Sequence, residues 1–325
     1  MWWKFLKKEE KANTAAQANA WKSDHTELRE SGKAPLTDLA KKVKEIEIAT
    51  KKRMSTLLSG QYKSRFKGQG MQFSDFRVYQ YGDDTRHIDW RASARSQQTY
   101  VKNFEEEREL NILCVVDISA SNFFGTQGAT KREMLCLAIA NIAFSAIANN
   151  DRVGLILFSD AIERYVPPKK GRKHVLRIID ELLSFKAQQK GSNLVGALQF
   201  AASIAKHNSI ITLASDFFAP FEKRNLSSLA KKHDLIALHI HDPRDIQIPK
   251  VGLLELEDPE TGETLLIDSN SSWVQKELTA SQKLRLKETW DKIQQSGSSL
   301  VKLKTTEDPA KSLNQFFHAR RKGKH

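Results

Sequence analysis

Three oxygen-bearing side chains, Asp117, Ser119 and Ser121, follow directly on an apolar run at residues 112–116. A short apolar run of this kind is typical of a buried strand, so these side chains emerge together at the end of the strand. Magnesium and other hard divalent cations bind oxygen ligands in near-octahedral geometry and usually keep several waters. One carboxylate and two hydroxyls supply half of such a shell. A metal site here therefore requires further ligands from other parts of the chain.

Two later segments offer these ligands. Ser192 lies just before an apolar segment that predicts a helix, and Asp216 follows closely on a second apolar run at residues 210–214. The combined pattern, DxSxS followed by a hydroxyl and then an aspartate, resembles the metal-ion-dependent adhesion site (MIDAS) of von Willebrand factor A domains. The resemblance implies a site for Mg²⁺, or for another divalent cation such as Mn²⁺ or Ca²⁺, with these ligands: Asp117, Ser119, Ser121, Ser192 and Asp216.

An interpretation without a metal stays open. The fourth position of such sites is most often Thr, and Ser192 keeps the hydroxyl but lacks the β-methyl group that restricts the rotamer. Serine is also common in turns, so Ser119 and Ser121 are also explained by the exit of the chain from the strand. In that case the hydroxyls serve only the local turn.

Apolar strands and helices alternate from about residue 110. The predicted strands are 112–116, 153–158, 162–166, 210–214 and 235–240, and the predicted helices are 131–149, 172–185, 193–206 and 225–233. This alternation predicts an α/β fold with a mostly parallel sheet, right-handed crossovers and helices on both faces. Such sheets bind ligands beyond the carboxyl ends of their strands, where Asp117 and Asp216 are expected.

The segment after residue 245 predicts further elements. They are a hairpin with strands at 253–256 and 264–267 around a turn with the sequence DPETGE, a long helix at 273–295, a strand at 301–304 and a helix at 308–320.

Residues 60–95 form the most unusual stretch of the sequence, with closely spaced glycines, aromatic residues and arginines. From residue 68 to residue 95 it reads GQGMQFSDFRVYQYGDDTRHIDWRASAR. This stretch resembles the signature of the domain of unknown function 58 family, whose members are often encoded beside MoxR-type AAA+ ATPases. The resemblance covers about residues 50–320, and it implies a von Willebrand factor A-like, doubly wound sheet.

We therefore expect four regions. They are a mobile polar lead (1–36), an N-terminal helix with the Arg- and aromatic-rich segment (37–109), a von Willebrand factor A-like domain (110–245), and C-terminal elements that complete the fold (246–325).

The arginines of the unusual stretch allow two interpretations. The first is an internal lattice of ion pairs with the aspartates at positions 75, 83, 84 and 89, because guanidinium groups form bidentate pairs with carboxylates. A docking surface for an acidic partner or a phosphate group is the second. The candidate partner-binding residues are Arg77, Arg86, Arg91 and Arg95.

The chain has 325 residues and a formal charge of +13, which favours an acidic partner without choosing its class. The lysines are scattered without interleaved aromatic residues, which argues against nucleic acid. The apolar segments are too short to span a bilayer, so we expect at most a peripheral membrane contact. Cys114 and Cys136 fall in predicted core elements, which favours reduced thiols in a soluble, cytoplasmic protein.

Sequence strings that mark common catalytic sites are absent, including Walker A, HExxH and GxSxG. His239 and His241 share one face of a predicted strand at metal-ligand spacing, but no Cys or third His lies near them in the sequence. We interpret them as core or surface residues. The chain is therefore predicted not to be an enzyme.

The predicted function is a metal-dependent protein–protein interaction module in which an acidic group of a partner completes the coordination of the metal. The family resemblance implies that the partner is a MoxR-type AAA+ ATPase or an acidic client protein, in the assembly or maturation of other complexes. One alternative is a Mg²⁺-dependent phosphoesterase or nuclease, although a catalytic two-metal site needs several carboxylates close together. Another is a basic nucleic-acid-binding protein.

Overall fold

The computed structural model describes residues 41, 43–45, 47–48, 72–96, 98–105, 109–123, 125, 129–206, 208–257 and 264–321. The predicted mobile lead and the turn of the C-terminal hairpin lie outside the described residues. The described residues between 41 and 48 are helical, within the span predicted for the N-terminal helix.

The described residues contain strands in three sheets. In chain order the strands are β1 (Gln72–Val78), β2 (Tyr100–Glu105), β3 (Asn111–Asp117), β4 (Arg152–Phe158), β5 (Ile162–Lys169), β6 (Ile210–Ser215), β7 (Asp234–His241), β8 (Leu253–Glu257), β9 (Thr264–Asp268) and β10 (Ser299–Lys304). The helices are α1 (Trp90–Ser96), α2 (Lys131–Ala148), α3 (Arg172–Ser184), α4 (Leu194–Ile204), α5 (Lys223–Ala230), α6 (Ser272–Gln295) and α7 (Pro309–Arg321).

The central sheet has six strands in the order β10-β7-β6-β3-β4-β5. Neighbouring strands are parallel except for the edge strand β5, which is antiparallel to β4. The chain therefore has a mixed α/β fold with a mostly parallel sheet, as the alternation of strands and helices predicts. The chain passes from β3 to β4 on one side and returns to β6 on the other, so the strand order reverses at β3. A ligand site is expected at such a switch point.

Both faces of the central sheet are buried, which explains the continuous apolar runs in its strands. Successive side chains of a strand point to opposite faces. In β3, Ile112, Cys114 and Val116 pack in the core with α2, α3 and α7, whereas Leu113 and Val115 pack with α4, α5 and α6. The pKa of the Cys114 thiol is raised to about 11 by burial, so it stays protonated at neutral pH.

Two antiparallel two-stranded sheets lie outside the central sheet. β8 pairs with β9, as predicted, and β1 pairs with β2 in the Arg- and aromatic-rich stretch, which the sequence analysis did not predict. β10, at the far end of the chain, pairs in parallel with β7. Among the described residues, no helix is both long and apolar enough to cross a bilayer.

The outer edge strand β5 carries two consecutive prolines, Pro167 and Pro168. The pairing of β5 with β4 is irregular here, and Gly154 of β4 lies opposite. A Cβ atom at Gly154 would lie 2.8 Å from Pro168 Cγ, so the glycine allows the proline ring to pack against β4.

Candidate functional site

Asp117, the last residue of β3, is the centre of a buried hydrogen-bond cluster. Its Oδ2 accepts hydrogen bonds from Ser192 Oγ and Ser215 Oγ, both at 2.8 Å. Its Oδ1 accepts the backbone N–H of Ser119 at 2.9 Å. The loop after β3, the loop before α4 and the end of β6 therefore meet at one carboxylate.

The two other hydroxyls of the DxSxS pattern lie beside Asp117. Ser119 Oγ and Ser121 Oγ are 3.1 Å apart, and Ser119 Oγ also accepts a hydrogen bond from Asn122 Nδ2 at 3.2 Å. Asn122 Oδ1 is buried and has no hydrogen-bond partner within the described part of the chain. These hydrogen bonds all lie within residues 119–122, so they fit the local-turn interpretation as well as a metal site.

The position of Ser192 is fixed by its neighbours in the loop before α4. The Gly191 N–H donates to Asp160 Oδ2 at 3.0 Å, and the Asn193 N–H donates to the Ser159 carbonyl at 2.7 Å. A Cβ atom at Gly191 would lie 2.2 Å from Asp160 Oδ1, so a larger residue displaces one of the two. The end of β4 thus holds the serine against Asp117.

Asp216 follows β6 in a tight turn. Its Oδ1 accepts the Phe218 N–H at 3.2 Å, and Ser215 Oγ accepts the Phe217 N–H at 2.9 Å. Phe217 has φ = 53°, in the left-handed region that a bulky residue rarely adopts. Such a conformation costs about 1–3 kcal/mol and persists where the surrounding packing enforces it, here contacts with the rings of Phe221 and His239.

The electrostatics of Asp117 favour a neighbouring cation. Burial and, to a lesser extent, the negative charge of Asp216 together raise the pKa of Asp117 to about 6, against the hydrogen bonds from Ser119 and Ser215. A positive charge beside a buried carboxylate counteracts both causes of the increase. Metal binding requires the deprotonated form, so affinity for a metal ion falls as Asp117 becomes protonated.

The donor set fits a hard divalent cation. It consists of carboxylate and hydroxyl oxygens, which Mg²⁺, Mn²⁺ and Ca²⁺ accept, and it contains no thiolate or imidazole. Within the described ranges, no cluster of three or more His, Cys, Asp or Glu residues has the arrangement of a metal site. A metal here would therefore depend on the serine hydroxyls, with carboxylates from Asp117 and Asp216 alone.

A buried lysine lies next to Asp216. Lys131 Nζ is 3.5 Å from Asp216 Oδ2 and 2.9 Å from Asp245 Oδ2, and its side chain is 2% exposed. The Arg285 guanidinium of α6 stacks on the ring of Phe218, with Cζ 3.5 Å from the ring centroid. Burial lowers the pKa of Arg285, and Asp216 and Asp245 oppose that shift.

His239 and His241 are both buried. His239 Nδ1 accepts a hydrogen bond from Trp290 Nε1 at 3.2 Å, and the ring also bonds the backbone of Asp216. Burial, the neighbouring His241 and the cations Arg285 and Lys131 hold the pKa of His239 well below its usual value, so the ring is neutral at pH 7. The histidine therefore supports the position of Asp216.

The four candidate partner-binding arginines form only part of the predicted ion-pair lattice. Arg77 makes a bidentate pair with Asp83 at 2.7 Å, and Arg86 pairs with Asp84 at 2.8 Å. The hydrogen bonds from Arg86 lower the pKa of Asp84 to about 2. Lys102 takes the place predicted for an arginine at the third carboxylate, Asp89, at 3.2 Å.

Arg91 and Arg95, on α1, are exposed and form no ion pair with a described residue. The lattice interpretation is therefore supported for Arg77 and Arg86 and not for these two.

Sequence reasoning noted Ser215 only as the neighbour of Asp216, and it missed three further residues around the predicted site: Lys131, Asp245 and Arg285. Ser215 had a local signal, since it is the last residue of the apolar strand that precedes Asp216. Lys131, Asp245 and Arg285 had none, because they approach Asp216 from three separate parts of the chain.

The sequence matches the family described as "Protein of unknown function DUF58" over residues 75–287. The chain belongs to this family. Among similar proteins, an uncharacterized protein of Mycobacterium tuberculosis is 29% identical over 289 residues, covering 88% of this chain and 90% of the relative. An uncharacterized protein of Mycobacterium bovis matches to the same extent. These relatives are uncharacterized, so membership in DUF58 by itself assigns no activity.

Two solved structures are similar to this DUF58 chain at low sequence identity. One is the conserved hypothetical protein BatB from Bacteroides thetaiotaomicron, with 17% identity, a TM-score of 0.45, and coverage of 66% of this chain and 99% of that chain. The other is an aerotolerance-related membrane protein from Bacteroides fragilis, with 16% identity, a TM-score of 0.46, and coverage of 64% and 98%.

Proposed function

We propose that the chain is a non-enzymatic, metal-dependent protein–protein interaction module built on a von Willebrand factor A-type sheet. One observation carries the proposal. The Ser192 hydroxyl, 75 residues away in the sequence, donates to Asp117 at 2.8 Å, at the point where the DxSxS hydroxyls and Asp216 also converge. These are the five positions that the MIDAS resemblance names.

Each of these residues has a distinct part in holding a cation. Asp117 supplies a charged ligand whose orientation is fixed by three hydrogen bonds, and Ser119, Ser121 and Ser192 supply neutral oxygens that rotate to suit an ion. Asp216 supplies a second negative charge. A bound ion of this kind presents a positive centre to a carboxylate of another protein.

The proposed partner is a MoxR-type AAA+ ATPase or an acidic client protein. Support comes from membership in DUF58, from the formal charge of +13, and from the exposed arginines Arg91 and Arg95. Complementary charge steers such an encounter and raises its rate, which makes the association sensitive to salt. The setting we propose is the cytoplasm, where the ATPase has nucleotide.

Titration calorimetry with MgCl₂ and MnCl₂ tests the metal site. We expect wild type to bind one ion, and Asp117→Asn and Ser192→Ala to reduce the affinity at least about tenfold, since a charged or neutral oxygen ligand is lost. Asp180→Asn is the matched control, because Asp180 is an exposed aspartate on α3 and is not one of the proposed ligands. Binding that is the same in wild type and Asp117→Asn contradicts the proposed ligands.

A pull-down assay with a MoxR-type ATPase from the same genome tests the partner. We expect the wild-type chain to retain the ATPase in Mg²⁺ and to release it in EDTA. Asp117→Asn is expected not to retain the ATPase at Mg²⁺ concentrations at which the Asp180→Asn control does. Equal retention in all these conditions would discard a metal-bridged contact and leave a purely electrostatic one.

The phosphoesterase alternative has less support from the geometry. The proposed ligands include two carboxylates, Asp117 and Asp216, and the nearby Asp245 is paired with Lys131 at 2.9 Å. A two-metal hydrolytic site needs more carboxylate ligands than this. Hydrolysis of a phosphodiester that disappears in Asp216→Ala would reverse this conclusion.

A further inference from the structure

Lys131 is the first residue of α2, yet its side chain turns into the protein. The side chain is 2% exposed, and Nζ is also 5.0 Å from the centroid of the Phe218 ring. The start of α2 needs no help from it, because Thr130 and Glu133 already form a capping box. A positive charge in the first turn opposes the helix dipole, and its burial is costly unless it is paired. The carboxylates of Asp216 and Asp245 offset this cost.

These two carboxylates stand in different relations to the candidate metal site. Asp216 is one of its proposed ligands, and its contact with Lys131 is the longer one, 3.5 Å against 2.9 Å for Asp245. Asp245 belongs to the turn at residues 242–245, where its Oδ2 also accepts the Asp242 N–H at 2.8 Å. The ammonium thus lies between a site ligand and a carboxylate that is fixed outside the site.

We propose that Lys131 is a tethered monovalent cation that competes with a divalent ion for Asp216, and that Asp245 holds the ammonium when the divalent ion is bound. The inference rests on the proposed metal site. In this arrangement the intrinsic charge of Lys131 lowers the metal affinity. The exchange of its ammonium between two carboxylates couples metal binding to the turn at residues 242–245. Because coupling is reciprocal, a contact at that turn that displaces Lys131 alters the affinity for the metal.

Two substitutions change the metal affinity in opposite directions. Lys131→Met removes the competing charge and keeps the apolar stem, so we expect Mn²⁺ to bind about tenfold more tightly, given the strength of charge–charge interactions across a few ångströms at a partly buried site. Asp245→Asn removes the alternative partner of the ammonium, so Lys131 holds Asp216 more firmly and Mn²⁺ binds about threefold to tenfold more weakly.

The double variant separates this exchange from a general effect of charge. If Asp245 acts through Lys131, Asp245→Asn weakens binding in wild type and has little effect in the Lys131→Met background. If Asp245 merely adds negative potential, Asp245→Asn weakens Mn²⁺ binding by the same factor in both backgrounds. That result overturns the role assigned to Asp245. Arg320→Met is the matched control, since Arg320 pairs with Asp234 at 2.7 Å at the other end of β7, and its removal is expected to leave the Mn²⁺ affinity unchanged.

The measurement is calorimetric titration of the full chain with MnCl₂ at pH 7.5 and fixed ionic strength, with circular dichroism as the check on folding. If Lys131→Met does not fold, Lys131→Gln replaces it, and the comparison with Asp245→Asn is made in the same way. Unchanged affinity in the lysine variants, with binding still lost in Asp117→Asn, overturns this inference and leaves the proposed function standing. Absence of Mn²⁺ binding in wild type and in every variant overturns both.

Discussion

At the scale of single residues, Asp117 is subject to two opposing influences. Hydroxyl and amide donors favour its ionised form, whereas burial and the charge of Asp216 favour its protonated form. Burial and the charge of Asp216 outweigh these donors, and the pKa of Asp117 is raised to about 6. The residue is thus sensitive to any positive charge that approaches it, whether a metal ion or a side chain.

Substitutions at Ser192 distinguish a ligand hydroxyl from a hydroxyl that only supports the loop. Ser192→Thr keeps the hydroxyl and restricts its rotamer, so we expect Mg²⁺ affinity within about threefold of wild type, while Ser192→Ala loses about tenfold. Calorimetry compares the two, and thermal unfolding in EDTA shows whether the loop is intact. Loss of affinity in both variants would assign the residue to loop structure.

Asp151, between α2 and β4, gives a prediction for pH dependence. It is buried, Oδ1 accepts the Leu110 N–H at 2.9 Å, and Oδ2 has no hydrogen-bond partner among the residues that the structure describes. Burial raises its pKa from 3.8 to about 6, against the hydrogen bond from Leu110 and the charge of Lys170. Between about pH 4 and pH 6 the folded state therefore binds more protons than the unfolded state, and this contribution to the free energy of unfolding declines as pH rises.

Asp151→Asn removes that decline while keeping an acceptor for Leu110. We expect the free energy of unfolding of the variant, relative to wild type, to be higher at pH 7.5 than at pH 4 by about 1–3 kcal/mol. Urea denaturation at several pH values measures the difference. Parallel curves for the two proteins would show that Asp151 does not titrate in this range.

At the scale of elements, the sequence predicts closely where the strands of the central sheet and the helices beside it lie. Each buried strand is a continuous apolar run, and each helix has an apolar face. β3, β6 and β7 are each one or two residues longer than predicted. β1 and β2 were missed because residues 75–78 are largely exposed and an irregularity in β1 interrupts the alternation on which a strand prediction depends.

The loop before α4 provides a prediction at this scale. Gly191→Ala forces Asp160 away and removes its hydrogen bond to the backbone, so we expect the free energy of unfolding to fall by about 1 kcal/mol. We also expect a lower affinity for the metal, because Ser192 is displaced. Asp160→Ala is the companion variant, since it removes the same bond without a clash. Calorimetry and thermal unfolding report both effects, and an unchanged metal affinity in both variants would show that the loop does not position Ser192.

At the scale of the whole molecule, the core includes elements that follow residue 245. β10 pairs with β7, and Leu313, Phe316 and Phe317 of α7 pack in the same cluster as α2. The C-terminal elements therefore contribute directly to the stability of the central sheet.

A chain that ends at residue 298 tests that dependence. It loses five buried apolar side chains of β10 and α7: Val301, Leu303, Leu313, Phe316 and Phe317. At about 1.5–3 kcal/mol each, their burial is worth roughly 10 kcal/mol, comparable with the stability of a typical domain. We expect loss of cooperative thermal unfolding by circular dichroism, whereas Leu303→Ala in the full chain unfolds cooperatively at a lower temperature. A truncated chain with the wild-type midpoint would make the first 298 residues an autonomous unit.

The candidate site could be predicted only in part at this scale. The chemical pattern identified Asp117, Ser192 and Asp216, since each follows or precedes a recognisable apolar element. The cations beside them could not be predicted, because Lys131 and Arg285 resemble any solvated lysine and arginine until the fold brings α2 and α6 to the same edge of the sheet.

Pro167 and Pro168 have a consequence for how the protein behaves at high concentration. Consecutive residues that lack an amide hydrogen make the β5 margin a poor template for an incoming extended chain. Intermolecular strand pairing that would extend the sheet is therefore disfavoured at that edge. Replacing these two imino acids would create a self-association hazard without altering any of the five proposed metal ligands.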